Sequence, residues 1–335
     1  VRNSLFLVVA VAVAALLFGL LHAINNEYYF FAGYVVLQFV VLATAWNILG
    51  GYCGYVNFGS AGFFALGAYT SVAIHQLAPL PVPVLIMAAA VISGIVGFGT
   101  GYLTLRLRGA FFAIATLALA VVLQTLVVNW DFVGGARGAY LIRPAEVPVP
   151  EFVALYLGPI AGLLGAFVKV FSSYIEYLFF LMLVLTVLAV AIARGIERSR
   201  LGYGFATIRD DEMAAEASGV PTLRLKLIAT TLSGALMGMA GAPFPYYIGF
   251  VEPSSAFGLA YAVNAIAMPM IGGTTIWIGP VIGAVLLGTV QQVATVTISS
   301  AVNLLIVGLL LIAFVIVAPN GIVGLVQERL RAREK

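Results

Sequence analysis

The chain has 335 residues, 63% of them hydrophobic and 9% charged, with a net charge of +3. A soluble domain of this size needs far more polar surface, so the composition excludes one and makes the bilayer the solvent. A single cysteine, Cys53, excludes an internal disulfide and any cysteine-based metal cluster.

A membrane helix takes about 20 apolar residues, and the charge-free runs supply them. No Asp, Glu, Lys or Arg occurs over 3–26, 28–105, 109–130, 227–251 or 253–327. The first run exceeds the apolar region of a signal peptide and shows no small-residue cleavage site, so it reads as the first membrane helix. Ten spans fit: 4–24, 28–49, 60–77, 84–105, 109–129, 172–193, 226–249, 256–273, 277–298 and 301–318. The eighth is short and holds Pro269, which predicts a broken or re-entrant segment. Gly97 and Gly101, and likewise Gly234 and Gly238, stand four apart, the spacing that lets helix backbones approach in lipid.

Lysine and arginine set the orientation. With the N-terminus inside, Arg2, Arg106, Arg108, the cluster at 194–226 and Arg329, Arg331, Arg333 and Lys335 are cytoplasmic. Only Arg137, Arg143 and Lys169 of the 16 basic residues then fall outside. The expected architecture is a single all-α polytopic bundle over 1–335, N-in and C-in, with an external segment at 130–171. Residues 194–226 form the main internal loop.

That loop holds the least membrane-like stretch, IRDDEMAAEASGVPTLRLKL at 208–227, with seven charges. Read as one helix, it has Asp210 and Asp211 near a favourable N-terminal dipole. Slim residues follow, and Gly219 with Pro221 beyond it supplies a stop. A slim helix with an acidic rim suits a groove on another protein; a solvated loop that only preserves topology is the alternative.

Polar residues within the spans are Asn47, Thr116, Gln124, Asn264 and Gln291. They either face a path for a polar solute or make helix–helix hydrogen bonds. GGYCGYVNFGSAG at 50–62, with Asn57 and Ser60, is either an unwound path-lining segment or a tight turn between spans. IGGTTIWIGP at 271–280 loosely echoes its glycines on the same side. No acid or base sits mid-membrane; Glu176 lies about one turn inside the outer edge, as the 1.5 Å rise per residue gives. This argues against an ion-coupled carrier. His22 and His75 are too far apart in sequence to suggest a metal site. No catalytic constellation is apparent, and neither an enzyme nor a nucleic-acid binder is expected.

Five blocks resemble, in order, the LivM-type permeases of branched-chain amino acid ABC transporters. They are NILGGYCGYVNFGSAGFFALGAYT (47–70), RLRGAFFAIATLALA (106–120), SRLGYGFATIRDDEMAAEASGV (199–220), KLIATTLSGALMGMAGA (226–242) and IGGTTIWIGPVIGAVLLG (271–288). MAAEASG at 213–219 follows the coupling-loop core of such importers, except that Met213 replaces the usual glutamate and Glu212 stands one place early. The resemblance implies half of an importer pore in the plasma or inner membrane. Its partners would be a second, LivH-like permease, two cytoplasmic ATPases and an external binding protein. ATP would be used by the partners, since the chain has no G-x-x-x-x-G-K-[ST] loop. Arg209, Asp210, Asp211, Glu212, Ala214, Ala215, Glu216 and Gly219 are the expected ATPase contacts. Asn47, Asn57, Ser60, Thr116, Gln124 and Asn264 are the candidate path residues. Branched-chain amino acids are the implied substrate; urea or a short-chain amide is the alternative within the family, and an ATP-independent secondary carrier the rival outside it.

Overall fold

A computed structural model of the chain describes residues 3–24, 26–78, 80–104, 107, 109–141, 171, 173–297, 300–318 and 321–333. The chain begins with the helices α1 (Asn3–Ile24), α2 (Glu27–Asn47), α3 (Ser60–Leu77), α4 (Val82–Thr104), α5 (Ala110–Val128) and α6 (Tyr174–Glu197). Two short helices follow, α7 (Arg200–Asp210) and α8 (Glu212–Ala217), and then α9 (Thr222–Gly241). The chain continues through α10 (Phe244–Ile248), α11 (Pro253–Ala256), α12 (Leu259–Gly272), α13 (Ile278–Thr297), α14 (Ser300–Val317) and α15 (Gly321–Arg333).

Among the described residues, eight segments are long and apolar enough to cross a membrane. The expected third and tenth spans, α3 and α14, are not among them, so the count of ten rests on the sequence reading. For α3 the reason is physical. Twelve of its eighteen residues are buried against neighbouring helices, and a helix surrounded by protein need not satisfy lipid. By contrast α1, where no residue of the apolar window is buried, is hydrophobic all round.

The centre of the bundle is α2, which packs against α6, α13, α9 and α12. Beside it, α9 is sandwiched by α3 and α4 at backbone contact. A Cβ on Gly97 of α4 would come within 2.9 Å of the Thr230 carbonyl of α9, and one on Gly234 of α9 within 3.1 Å of the Ser93 carbonyl of α4. The four-residue glycine spacing thus does what it promised: it removes the side chains that would hold α4 and α9 apart.

The helix ends sort into two faces. At one, Arg194 of α6 lies 3.9 Å over the Phe6 ring of α1 and 5.4 Å from the Trp277 ring, beside the turns at 48–59 and 273–277. At the other, His22 Nδ1 is 2.6 Å from Glu176 Oε1 and the Tyr246 hydroxyl is 3.0 Å from His75 Nδ1. There too, Ala139–Tyr140 pairs antiparallel with Phe250–Val251. The basic-residue count predicts that the first face is cytoplasmic and the second external.

One local expectation is corrected. Pro269 does not break its helix: α12 runs on through Gly272, and the interruption falls upstream at Phe257–Gly258. Tyr246 is buried, with its hydroxyl against His75. The external segment is described only as far as two 3-10 turns and the short strand at 139–140; Arg143, Lys169, Arg2, Arg106, Arg108 and Lys335 lie outside the described residues.

Candidate functional site

The face that bears Arg194 also carries the charged loop, and its construction starts at Asp211. The sequence reads 208–219 as one helix, but the structure divides it. Asp210 ends α7; Asp211, in extended conformation, caps α8 and accepts hydrogen bonds from the backbone N–H of Met213 (2.9 Å) and Ala214 (3.0 Å). Asp210 is therefore at a helix C-terminus, paired with Arg209 at 3.3 Å, and not at the start of the coupling helix. A short polar side chain satisfies two amides that a continuing helix would bond to carbonyls, so the chain bends there.

The other end of α8 closes as the glycine and proline imply. Gly219 has φ +83°, its N–H bonds the Glu216 carbonyl (3.0 Å), and the Val220 N–H bonds the Ala215 carbonyl (3.0 Å). This is the six-to-one closure that needs a left-handed residue. Six residues between two caps then present an exposed outer surface of Met213, Ala214, Ala217, Ser218 and Gly219, with Met213 67% exposed. Ala215 faces inward and is buried.

Glu212, one of the expected ATPase contacts, turns its carboxylate inward. Lys226 Nζ donates to Glu212 Oε1 at 2.6 Å and to the Tyr55 hydroxyl oxygen at 3.2 Å, and the Tyr55 hydroxyl donates to Glu212 Oε2. The lysine is 3% exposed and the glutamate 12%. Glu216 accepts from the Thr222 hydroxyl at 2.8 Å, bracing the link into α9. Arg209 reaches the Gly51 carbonyl at 3.5 Å.

These ties converge on the two glycine-rich turns. The first begins as a π-helical segment, Ile48–Tyr52, and runs irregularly to α3. The second, 273–277, is held by Glu197, whose Oε2 accepts from the Trp277 N–H at 2.6 Å. The two turns touch, since a Cβ on Gly51 would come within 2.6 Å of the Thr274 carbonyl.

The candidate path residues do not form one group. Asn57, Ser60 and Thr116 are together near the cytoplasmic end of α3 and α5: Thr116 Oγ1 accepts from the Phe58 N–H (3.1 Å), and Asn57 Oδ1 accepts from the Gly59 N–H (2.8 Å). Ser60 is buried beside them. Asn47 is buried near Gly51 on α2, and Gln124 is half-buried further along α5. Asn264 accepts a 2.8 Å hydrogen bond from Gln291 of α13.

Sequence reasoning missed Tyr55, Lys226 as a partner, and Glu197. Tyr55 and Lys226 are 171 positions apart, so no local pattern links them. A lone lysine opening an apolar helix was the one available signal. Among the described residues no cluster of three or more metal-ligating side chains occurs.

Residues 28–315 match the family model described as branched-chain amino acid transport system / permease component. The chain is 28% identical over 308 residues to the high-affinity branched-chain amino acid transport system permease LivM of Salmonella typhimurium, covering 89% of this chain and 71% of that one. LivM of Escherichia coli is similar at 27% over the same shares. A LivH permease of Methanocaldococcus jannaschii, named as probable, is 24% identical, covering 82% of this chain and 85% of its own. An ABC transporter solved in an inward-facing conformation overlays with a TM-score of 0.48 at 16% identity, covering 94% of this chain and 97% of that one. That last likeness is too distant to bear on mechanism. With eight apolar spans and a family match over most of its length, the chain is a multi-pass membrane protein and belongs to the branched-chain amino acid permease family of ABC transporters.

Proposed function

We infer that this chain is half of the pore of an ABC importer for branched-chain amino acids, moved by ATP that its partners hydrolyse. The observation that carries this reading is the α7–α8 elbow. It offers a slim, exposed surface outward, while Glu212 through Tyr55, and Arg209 through the Gly51 carbonyl, fasten its inner side to the glycine-rich turn at 50–59.

Docking would rest on Ala214, Ala217 and Gly219, where an ATPase groove can approach closely; Met213 extends the apolar contact. Exposed ion pairs contribute only about 0–1 kcal/mol each, so Arg209, Asp210, Asp211 and Glu216 tune the contact rather than supply it. Residues 194–226 then act as the coupling loop, and closure of two ATPase subunits biases the pore between outward and inward states. A second, LivH-like permease completes the pore. An external binding protein delivers substrate to the face bearing Glu252 and Arg137, and the chain itself holds no ATPase site.

For the path, Asn57, Ser60 and Thr116 at the inner end of α3 and α5 are the best grouped candidates; Asn264, bound to Gln291, is the weakest. The test is uptake by proteoliposomes holding the purified importer, with leucine, valine, urea and a short-chain amide compared. ATP-dependent accumulation of leucine or valine supports the reading. Uptake of urea or amide alone overturns the substrate, and uptake by this chain alone under an ion gradient overturns the mechanism.

A further inference from the structure

A surface loop that merely docks needs no charge pair beneath it, yet α8 sits on one. Lys226 and Glu212 are 3% and 12% exposed and 2.6 Å apart. Well-packed hydrophobic residues would hold the loop at least as firmly, because two charges removed from water give back much of their attraction in lost hydration. What the pair supplies is a fixed geometry between several elements. Glu212 is the first residue of α8, Lys226 lies in the second turn of α9, and Tyr55 belongs to the turn between α2 and α3. The Tyr55 ring stands edge-on to Phe112 of α5 at 5.1 Å, with the Lys226 ammonium 5.0 Å from its centroid. One carboxylate therefore ties three elements, and the Tyr55 ring adds α5 as a fourth.

The tie is directional. Because Glu212 is the N-terminal residue of α8, any shift of that helix carries its carboxylate along, while Lys226 is anchored in a long buried span. Tyr55 sits on the more deformable side. Its turn starts in a π-helical segment and passes Gly54 at φ +79°. It borders a cavity of about 560 Å³ lined by Gly54, Tyr55, Phe58, Ala110, Arg209 and Glu212 among others, so it has room to move. Arg209, at the other arm of the elbow, reaches the same turn through the Gly51 carbonyl.

We propose that Tyr55, Glu212 and Lys226 form the joint through which displacement of α8 reaches the glycine-rich turn at 50–59 and the start of α3. They are positioning residues for transport and touch neither substrate nor ATP. The joint rests on the reading of α8 as the ATPase contact.

The experiment uses the complete importer in proteoliposomes with Tyr55→Phe and Glu212→Gln. Three quantities are read: ATPase retained on purification, ATP hydrolysis rate, and substrate moved per ATP. Tyr55→Phe removes one oxygen and keeps the ring against Phe112, so it is the variant least able to unfold the chain. Both variants are expected to retain the ATPase and hydrolyse ATP within about twofold of the parent. Substrate moved per ATP falls about five- to hundredfold, the usual span of coupling between two sites. An unchanged ratio in Tyr55→Phe overturns the joint and leaves the docking role of α8 standing. Loss of ATPase binding in Glu212→Gln, with binding intact in the parent, also overturns it, because Glu212 would then lie on the docking surface. If the parent chain holds no ATPase, the coupling reading itself fails.

Discussion

Replacing Asp211 with alanine tests whether α8 exists as an independently capped helix. A helix of six residues is too short to hold itself together, since isolated helices below about 12 residues are marginal in water. Its order must come from its caps and from Ala215 packed beneath it. The Asp211 carboxylate satisfies two backbone amides, at 2.9 and 3.0 Å, and losing such a cap costs about 1 kcal/mol. That free energy corresponds to roughly fivefold more opening of the first turn. The Gly219 end is tested in parallel. A Cβ there meets nothing within 4 Å, so Gly219→Ala is opposed only by its φ of +83°, a penalty of about 1–2 kcal/mol. Gly219→Asn, which tolerates that conformation, should lose less. Hydrogen exchange followed by mass spectrometry on the chain in lipid nanodiscs reads the effect directly. Amides over 213–220 should exchange about fivefold faster in Asp211→Ala and at least as fast in Gly219→Ala, with those of α9 unchanged. Equal protection in parent and variants would refute the capped-helix account.

Three further outcomes follow from the packing. Burial pushes the Cys53 thiol, in the turn after α2, up to about 12, outweighing the lowering by Lys226. Because only the thiolate reacts, maleimide labelling at neutral pH should be negligible in the folded chain, rise as pH climbs towards 12, and become rapid on denaturation; prompt labelling at neutral pH would contradict it. Asn264→Leu or Gln291→Leu alone strands a buried partner and should lower stability by about 1–2 kcal/mol, whereas the double change should be close to neutral. Thermal unfolding in detergent checks this, and a lost uptake in a fully stable double variant would return Asn264 to the path. Gly97→Val pushes a branched side chain toward the Thr230 carbonyl, 2.9 Å from the Cβ position, and should cost about 1–3 kcal/mol as overpacking does. An unshifted melting curve would mean that α4 and α9 are not in backbone contact.

The sequence carried the spans well where lipid imposes the pattern. The charge-free runs locate α1, α2, α4 and α5, because no other environment tolerates such lengths without charge. The glycines at 97, 101, 234 and 238 correctly implied close helix contact, although not which helices meet. What was not legible has the opposite character. The central place of α3 follows from protein neighbours that its own residues do not name. The chain breaks at Phe257–Gly258 rather than Pro269, because a proline near the end of α12 loses a bond to the preceding turn yet has the right φ to continue. Asp211 divides the loop helix because its carboxylate competes with the backbone, a choice that the charge pattern alone left open. Glu212 stands one position ahead of MAAEASG, where Met213 holds the usual place of the glutamate; one residue rotates a side chain by about 100° on a helix of 3.6 residues per turn, enough to bring it onto Lys226.

The measurement that bears most directly on the account is an affinity pull-down of the tagged chain from its native membrane under gentle extraction. Residues 213–219 are kept in native order in one sample and scrambled in the other, with Asp211 and Glu212 untouched in both. The account predicts that a cytoplasmic ATPase and a second permease accompany the native chain, and that the scrambled chain keeps the permease but loses the ATPase. Failure to recover any ATPase with the native chain, together with ion-driven substrate uptake by that chain alone in vesicles, would contradict it.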